Sequence, residues 1–225
     1  RSTLFPYTTL FRSGSCAMGQ NSEFTSIHMD AIREVGNIGT GNAATALSKL
    51  IGRTVDMDVP VAELVPIYQV AAHYGSPEMP VCAVLVRTEE EYSCTLLFMI
   101  EEEKANKLAE LIIPMDLSGM DEQMRLQIRD SALSEQGNII LGAFLNALAQ
   151  ITGWVLPTTA PAVAHDMLGS IMDLVASMFG IIGDSAMLVK TSLQVKDLEE
   201  ELGGTVIMIP DPGSLETLLS RLGVL

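Results

Sequence analysis

The sequence predicts an α/β domain in which two repeats place their strands in one mainly antiparallel sheet covered by helices. Residues 34–60, moved by 101 positions, align without a gap on residues 135–161, and nine of the 27 positions are identical. The order of helix-like and strand-like segments that follows is also the same in both copies. Such a repeat predicts two similar halves related by a pseudo-twofold axis.

Each repeat is expected to open with a long helix, because apolar residues recur three and four positions apart in "EVGNIGTGNAATAL" and in "EQGNIILGAFLNAL". These apolar positions define the faces that we expect to turn toward the core. They are Val35, Ile38, Ala46, Leu47 and Leu50 in the first helix, and Ile139, Ala143, Phe144, Ala147, Leu148 and Ile151 in the second.

Two apolar strands and a short closing helix are expected later in each repeat. The strands are "VCAVLVRT" and "CTLLFMIEE" in the first repeat, and "SAMLVKTSLQV" and "GTVIMIPD" in the second. The short link "EEEYS" predicts an antiparallel hairpin. The closing helices are "KANKLAELI" and "SLETLLSRL". Between helix and strands, "AHDMLGSIMDLVASMFG" has helical periodicity, whereas the first repeat is interrupted by Pro66 and its assignment stays open.

Composition limits the class of protein. The chain has 225 residues, 48% of them hydrophobic, which is enough for a full core. Its formal net charge of −15 repels nucleic acid and anionic membranes. Cys82 and Cys94 lie in apolar runs and form no disulfide framework, which indicates a reducing compartment. Asp173 and Asp184 interrupt the most apolar later window, so we expect a cytoplasmic protein without a membrane span.

The N-terminal residues are not expected to belong to the domain. Residues 1–17 look like a translated sequencing adapter followed by a cloning scar, and no secretory signal is present. We therefore expect residues 1–28 to be a largely adapter-derived, disordered leader, with the native start at Met18 or Met29. Residues 29–225 are predicted to form a single domain of two repeats, 29–113 and 121–225.

A stripe of polar or small residues lies opposite the apolar face of each predicted helix. It consists of Glu34, Asn37, Gly41, Thr45 and Ser48 in the first helix, and of Glu135, Asn138, Gly142, Asn146 and Ala149 in the second. Helix stability does not explain the presence of Asn and Gly in these stripes, because both residues are poor helix formers. A single Glu and Asn usually form a solvated face, but two copies in register favour a function. The glycines fit either close packing or the docking of a partner.

The sequence disfavours other kinds of site. "GTGNAA" fits a dinucleotide-binding fingerprint, but a helix is expected before it instead of a strand, and the second repeat lacks the pattern. His73 and His165 have no clustered partners in the sequence, which indicates ordinary surface or satisfied histidines rather than a metal or triad site.

A carboxylate and a carboxamide one helical turn apart define a limited chemistry. The amide can hold a water molecule in line with a phosphorus atom, and the carboxylate can anchor a Lys or Arg of a partner. Such a site has no metal, nucleophile or general base of its own. It can therefore act only on a partner that brings them.

At these residues the sequence resembles the CheC family of chemotaxis phosphatases, in the CheC/CheX/FliY superfamily. The family signature is Asp or Ser, three residues, Glu, two residues, Asn, twenty-two residues and Pro. It occurs twice here, as Asp30, Glu34, Asn37 and Pro60, and as Ser131, Glu135, Asn138 and Pro161. The single-site, dimeric relative CheX is a poorer match to a chain with two sites. The relative FliY implies an additional C-terminal switch domain, which the sequence does not show.

The resemblance implies dephosphorylation of the phosphorylated response regulator CheY. By this resemblance Asn37 and Asn138 orient the attacking water, while Glu34 and Glu135 pair with a lysine of CheY. The protein itself would need no cofactor, because the aspartyl phosphate and its Mg2+ belong to CheY. Two sites and a complete sheet in one chain are consistent with a monomer.

The resemblance also implies binding of the receptor deamidase CheD through the helix "DMLGSIMDLVASMF". Asp166 occupies the family's contact position, and Asp173 is a weaker candidate. An acid at the start of a helix also complements the helix dipole, and for Asp166 the two roles are compatible. The alternative function is therefore an adaptor that binds phosphorylated CheY, CheD or both with little or no hydrolysis.

Overall fold

The structure is a computed structural model that describes residues 26–90, 92–179, 185–198 and 201–223. Its helices are α1 (Ser26–Ile51), α2 (Val70–Tyr74), α3 (Glu102–Ile112), α4 (Glu122–Thr152), α5 (Leu168–Phe179) and α6 (Ser214–Arg221). Its strands are β1 (Val55–Pro66), β2 (Pro80–Thr88), β3 (Cys94–Glu101), β4 (Ala162–Met167), β5 (Ser185–Val195) and β6 (Thr205–Pro210). Helix α1 begins ahead of Met29, and the predicted leader lies mostly outside the described residues.

The six strands of the described residues form one sheet in the order β1-β5-β6-β3-β2-β4, and every neighbouring pair is antiparallel. Strands β1, β2 and β3 come from the first repeat, and β4, β5 and β6 are their counterparts in the second. Exchanging each strand with its counterpart reverses the order onto itself. The predicted pseudo-twofold arrangement of a mainly antiparallel sheet is therefore confirmed.

Both predicted long helices are present, and their ends have local causes. Helix α4 begins after Asp121, whose carboxylate accepts a hydrogen bond from the backbone N–H of Met124 at 2.8 Å. Gly52 and Gly153, a pair that the repeat shares, follow the two helices with φ of +71° and +74°. Glycine adopts this left-handed conformation without strain, so it ends each helix at the same point.

Helices cover both faces of the sheet. The larger apolar cluster lies between one face and helices α1, α3, α4 and α6, and the smaller one lies between the other face and helices α2 and α5. The predicted core residues Val35, Leu47, Phe144 and Leu148 are buried. The prediction for Ile151 was wrong, because its side chain is 41% exposed. Leu148 and Thr152 in the same turn of α4 are buried, so the side chain of Ile151 lies outside the part of this turn that is covered.

The middle of each repeat contains an edge strand. In the second repeat the predicted helix begins only at Leu168, because residues 162–167 form β4 and pair with β2. In the first repeat β1 continues to Pro66, with a register shift between Asp58 and Val61. Proline lacks the N–H that a central strand would donate, so Pro60 fits this irregular edge position.

The described part of the chain contains no helix that is both long enough and apolar enough to span a bilayer.

Candidate functional site

The first motif lies on the exposed surface of α1. Asp30, Glu34 and Asn37 are exposed, and within the described residues no hydrogen bond holds the side chain of Glu34 or Asn37. Their neighbour Gly36 faces the sheet instead, where an added Cβ would lie 3.2 Å from Val59. Because Gly36 seats the helix on the sheet, the carboxylate and the amide on either side of it remain available to a partner.

The second motif lies on α4 in a tighter setting. Ser131 and Glu135 are exposed, whereas Asn138 is half-buried. A Cβ at Gly137 would lie only 2.5 to 2.7 Å from side-chain atoms of Val84, so this turn of α4 rests directly on β2. Because position 137 is glycine, α4 can lie close to the sheet, and this close contact sets the distance of Asn138 from the sheet.

The two motif-bearing helices cross each other. A Cβ at Gly39 would lie 3.1 Å from the Cα atom of Phe144, which places the backbones of α1 and α4 in close contact. An open groove of about 740 Å³ lies beside this crossing, and Asn138 is one of the residues that line it. Asn37 is exposed. The two amides therefore have different surroundings, in keeping with the difference between "GTGNAAT" and "ILGAFLN".

The glycines of the repeat divide into two kinds. Gly36 and Gly137 pack against the sheet, and the space around them explains the absence of a side chain. Gly41 and Gly142 have open space where a Cβ would be, with no described atom within 4 Å. Close packing against the described residues therefore does not account for Gly41 and Gly142, and a role in the approach of a partner stays a prediction.

The glycine-rich stretch "GTGNAA" lies within the uninterrupted helix α1. A dinucleotide site would need a strand before this stretch and free backbone N–H groups at the start of a helix. Here those N–H groups take part in helical hydrogen bonds. The geometry does not support a dinucleotide site.

Asp166 and Asp173 lie on the other side of the sheet. The prediction that Asp166 begins a helix was wrong, because it lies in β4 opposite Val81, and its carboxylate accepts a hydrogen bond from the N–H of Met167. Asp173 is exposed on α5. Met167 and Leu174, next to these acids, are 52% and 51% exposed. Sequence reasoning missed this apolar part of the surface, because Leu174 lies three residues after the buried Ile171 and helical spacing alone does not set it apart.

The thiols are structural. Cys82 and Cys94 are free and buried, and burial raises the pKa of both thiols to about 12. A thiol that stays protonated at neutral pH is neither a good nucleophile nor a metal ligand.

His165 has more partners than its sequence context indicated. Its Nδ1 lies 2.8 Å from Glu102, and its Nε2 lies 3.3 Å from Arg129 and 3.2 Å from Asp130. His73 pairs with Glu63 at 3.2 Å. The interpretation as satisfied histidines is confirmed, and the partners of His165 form a network of ion pairs and hydrogen bonds. Those partners come from α3 and α4, far from His165 in the sequence.

Gln136 lies between Glu135 and Gly137 and is 1% exposed, and its Nε2 has no hydrogen-bond partner among the described residues. Its counterpart in the first repeat is Val35. An unsatisfied buried amide costs stability, so we expect Gln136→Leu to raise the free energy of unfolding by about 1 kcal/mol. Urea denaturation measures this change. The exposed Gln123 on the same helix is the control, since Gln123→Leu should give no comparable gain, and a loss of stability in Gln136→Leu would show that the amide is satisfied in solution.

Similar proteins were identified by sequence. A family model described as CheC-like family matches residues 27–64, which contain the first motif. The CheY-P phosphatase CheC of Bacillus subtilis (strain 168) is 32% identical over 198 residues, which cover 87% of this chain and 93% of that protein. The flagellar motor switch phosphatase FliY of the same strain is 29% identical over 77% of this chain, but the match covers 44% of FliY.

Solved structures share the fold. The X-ray structure of Thermotoga maritima FliY matches with a TM-score of 0.67 at 19% identity, covering 89% of this chain and 98% of that chain. The FliM middle domain from H. pylori matches with a TM-score of 0.59 at 11% identity, covering 88% of this chain and 99% of that chain. Because sequence identity to CheC extends over most of both proteins, this chain belongs to the CheC family.

Proposed function

We propose that the chain is a cytoplasmic phosphatase that hydrolyses the aspartyl phosphate of the chemotaxis response regulator CheY. One observation carries the proposal. Two Glu/Asn pairs stand in register on crossing helices with their side chains free of intramolecular hydrogen bonds, as far as the described residues show. The similarity to a CheY-P phosphatase over most of the chain supports the same reaction.

In this proposal Asn37 and Asn138 act on the attacking water. An amide oxygen accepts a hydrogen bond from the water and its NH2 group donates one, so a rigidly held amide can keep the water in line with the phosphorus. The water oxygen then bonds to phosphorus while the bond to the aspartate oxygen breaks, releasing inorganic phosphate and a free carboxylate. The amide is not consumed and carries no charge that would repel the phosphoryl oxygens.

Glu34 and Glu135 hold the partner in register. Each carboxylate is exposed, one helical turn before its amide, and can pair with a lysine of CheY. CheY supplies the phosphorylated aspartate and the Mg2+, so this chain needs no metal site of its own. We also propose that it acts as a monomer, because one chain carries both motifs.

The test is release of phosphate from phosphorylated CheY with Mg2+, measured with and without the chain. We expect a concentration-dependent acceleration. If the chain accelerates nothing, even with CheD added, an adaptor that binds CheY without hydrolysis is the better account.

The adaptor role has one observation in its favour. Asp166 and Met167 on β4, and Asp173 and Leu174 on α5, are all exposed and combine two acids with two large apolar side chains. A mixed surface of this kind is typical of a protein interface. We propose it as the contact for CheD.

Asp166→Lys reverses the charge at the predicted contact, and we expect it to weaken CheD binding roughly tenfold through like-charge repulsion and a lost ion pair. Isothermal titration calorimetry measures the affinity. The control is Asp56→Lys, at an exposed acid on β1, the opposite edge of the sheet. If Asp166→Lys and wild type bind CheD with equal affinity, Asp166 is not part of the interface.

A further inference from the structure

A network of charged and polar side chains ties the start of the second motif to two other elements. Arg129 on α4 donates from Nη1 to Glu102 at 3.2 Å and to Asn106 at 3.1 Å, both on α3. Its Nε and Nη2 donate to Asp130 at 3.2 and 3.1 Å. His165 on β4 joins through Glu102 and Arg129. Three elements therefore meet at one guanidinium group.

The donors and acceptors of the network fit together. With the proton of His165 on Nδ1, the ring donates to Glu102 and its Nε2 accepts from Arg129. The Asp130 oxygen that also lies 3.2 Å from this Nε2 is paired with Arg129 rather than with the ring. The planar guanidinium reaches several acceptors in fixed directions, which a lysine ammonium does not do. The network is therefore directional and fixes the position of helix α4 as well as neutralising charge.

The position of the network along α4 is informative. Arg129 lies two residues before Ser131 and six before Glu135, and Gly137 rests on Val84 at the other end. The helix segment that carries the second site is thus held at both ends. In the first repeat, no side-chain ion pair among the described residues ties α1 to another element.

The network is expected to contribute little to the stability of the fold. The side chains of Arg129, Glu102 and His165 are 22%, 25% and 23% exposed, so the guanidinium, the carboxylate and the imidazole lose much of their hydration. The cost of that loss offsets much of the attraction between them.

We infer that Arg129 is a positioning residue for the second site, acting with His165 and Glu102 to set the orientation of Glu135 and Asn138. The first site does not depend on it. This inference rests on the proposed function and assigns a separate support to each of its two sites.

The chain provides its own control, because each site can be measured alone. Asn37→Ala leaves the second site, and Asn138→Ala leaves the first. In the Asn37→Ala background we expect Arg129→Met to lower kcat by roughly three- to tenfold, since small misplacements of a catalytic group have large effects on rate. In the Asn138→Ala background the same substitution should leave the rate within experimental error. Arg129→Lys keeps the positive charge but loses the planar guanidinium group. Its kcat should lie between that of Arg129→Met and that of wild type.

Matched controls separate positioning from other effects. Arg125 is exposed one turn earlier on α4, so Arg125→Met removes the same charge and should change neither background. Melting temperatures show whether each variant is folded. Equal losses in both backgrounds, or no loss in the Asn37→Ala background, would overturn the inference.

Hydrogen exchange decides the inference without any catalysis. We expect Arg129→Met to speed amide exchange several-fold in residues 129–138 and to leave residues 29–37 of α1 unchanged. Unchanged exchange in residues 129–138, or equal acceleration in both segments, would contradict the inference. If neither single-site chain hydrolyses CheY phosphate, the proposed function fails, and the exchange result still tests the role of Arg129.

Discussion

The double variant Asn37→Ala/Asn138→Ala is expected to lose its acceleration of CheY dephosphorylation by a factor on the order of a hundred or more, because nothing else at either site can orient the water. Each single variant should keep the activity of the remaining site. Phosphate release from phosphorylated CheY measures the rates. The control Gln123→Ala/Gln127→Ala removes two exposed amides from α4 outside the motif and should stay fully active.

The melting temperature distinguishes a loss of activity caused by unfolding from one caused by the missing amides. Asn37 is exposed and Asn138 half-buried, and alanine is the better helix former at both positions. We therefore expect the double variant to melt at the same temperature as wild type or slightly above it. A double variant with full activity would show that the amides do not orient the water.

Gly137→Ala is expected to destabilise the protein by about 2 to 3 kcal/mol, because a methyl group would overlap Val84 and lift α4 from β2. Gly142 on the same helix is the matched control, since the space around it is open. Gly142→Ala should raise the free energy of unfolding by about 0.5 to 1 kcal/mol, because alanine has a higher helix propensity than glycine. Urea denaturation measures both variants.

The same pair of substitutions links packing to the second site. A lifted α4 moves Asn138, so Gly137→Ala in the Asn37→Ala background should also lower the remaining phosphatase rate. Equal stabilities of Gly137→Ala and Gly142→Ala would contradict the close seating of α4 on the sheet.

Much of the fold was predictable because its signals are local or repeated. The aligned stretches 34–60 and 135–161 predicted both long helices, and the apolar runs predicted the strands of both hairpins. The exposure of Glu34, Asn37 and Glu135 followed from the helical period, since the opposite face carries the apolar residues.

The rest depended on contacts between distant segments. Residues 162–167 have no strong preference of their own, and they form a strand because the edge of β2 is available to pair with them. The partners of His165 come from α3 and α4, so no local pattern announced them. The exposure of Ile151 depends on what covers the end of α4, which periodicity does not encode.

The strand order also determines how the chain must fold. Three of the five strand pairs join different repeats, namely β1 with β5, β3 with β6 and β2 with β4. Val55, for example, pairs with Val195, 140 residues further along the chain. Pairings over such distances close large loops and slow the folding reaction. Each edge strand pairs with a strand of the other repeat, so the sheet is complete only when both repeats have been made.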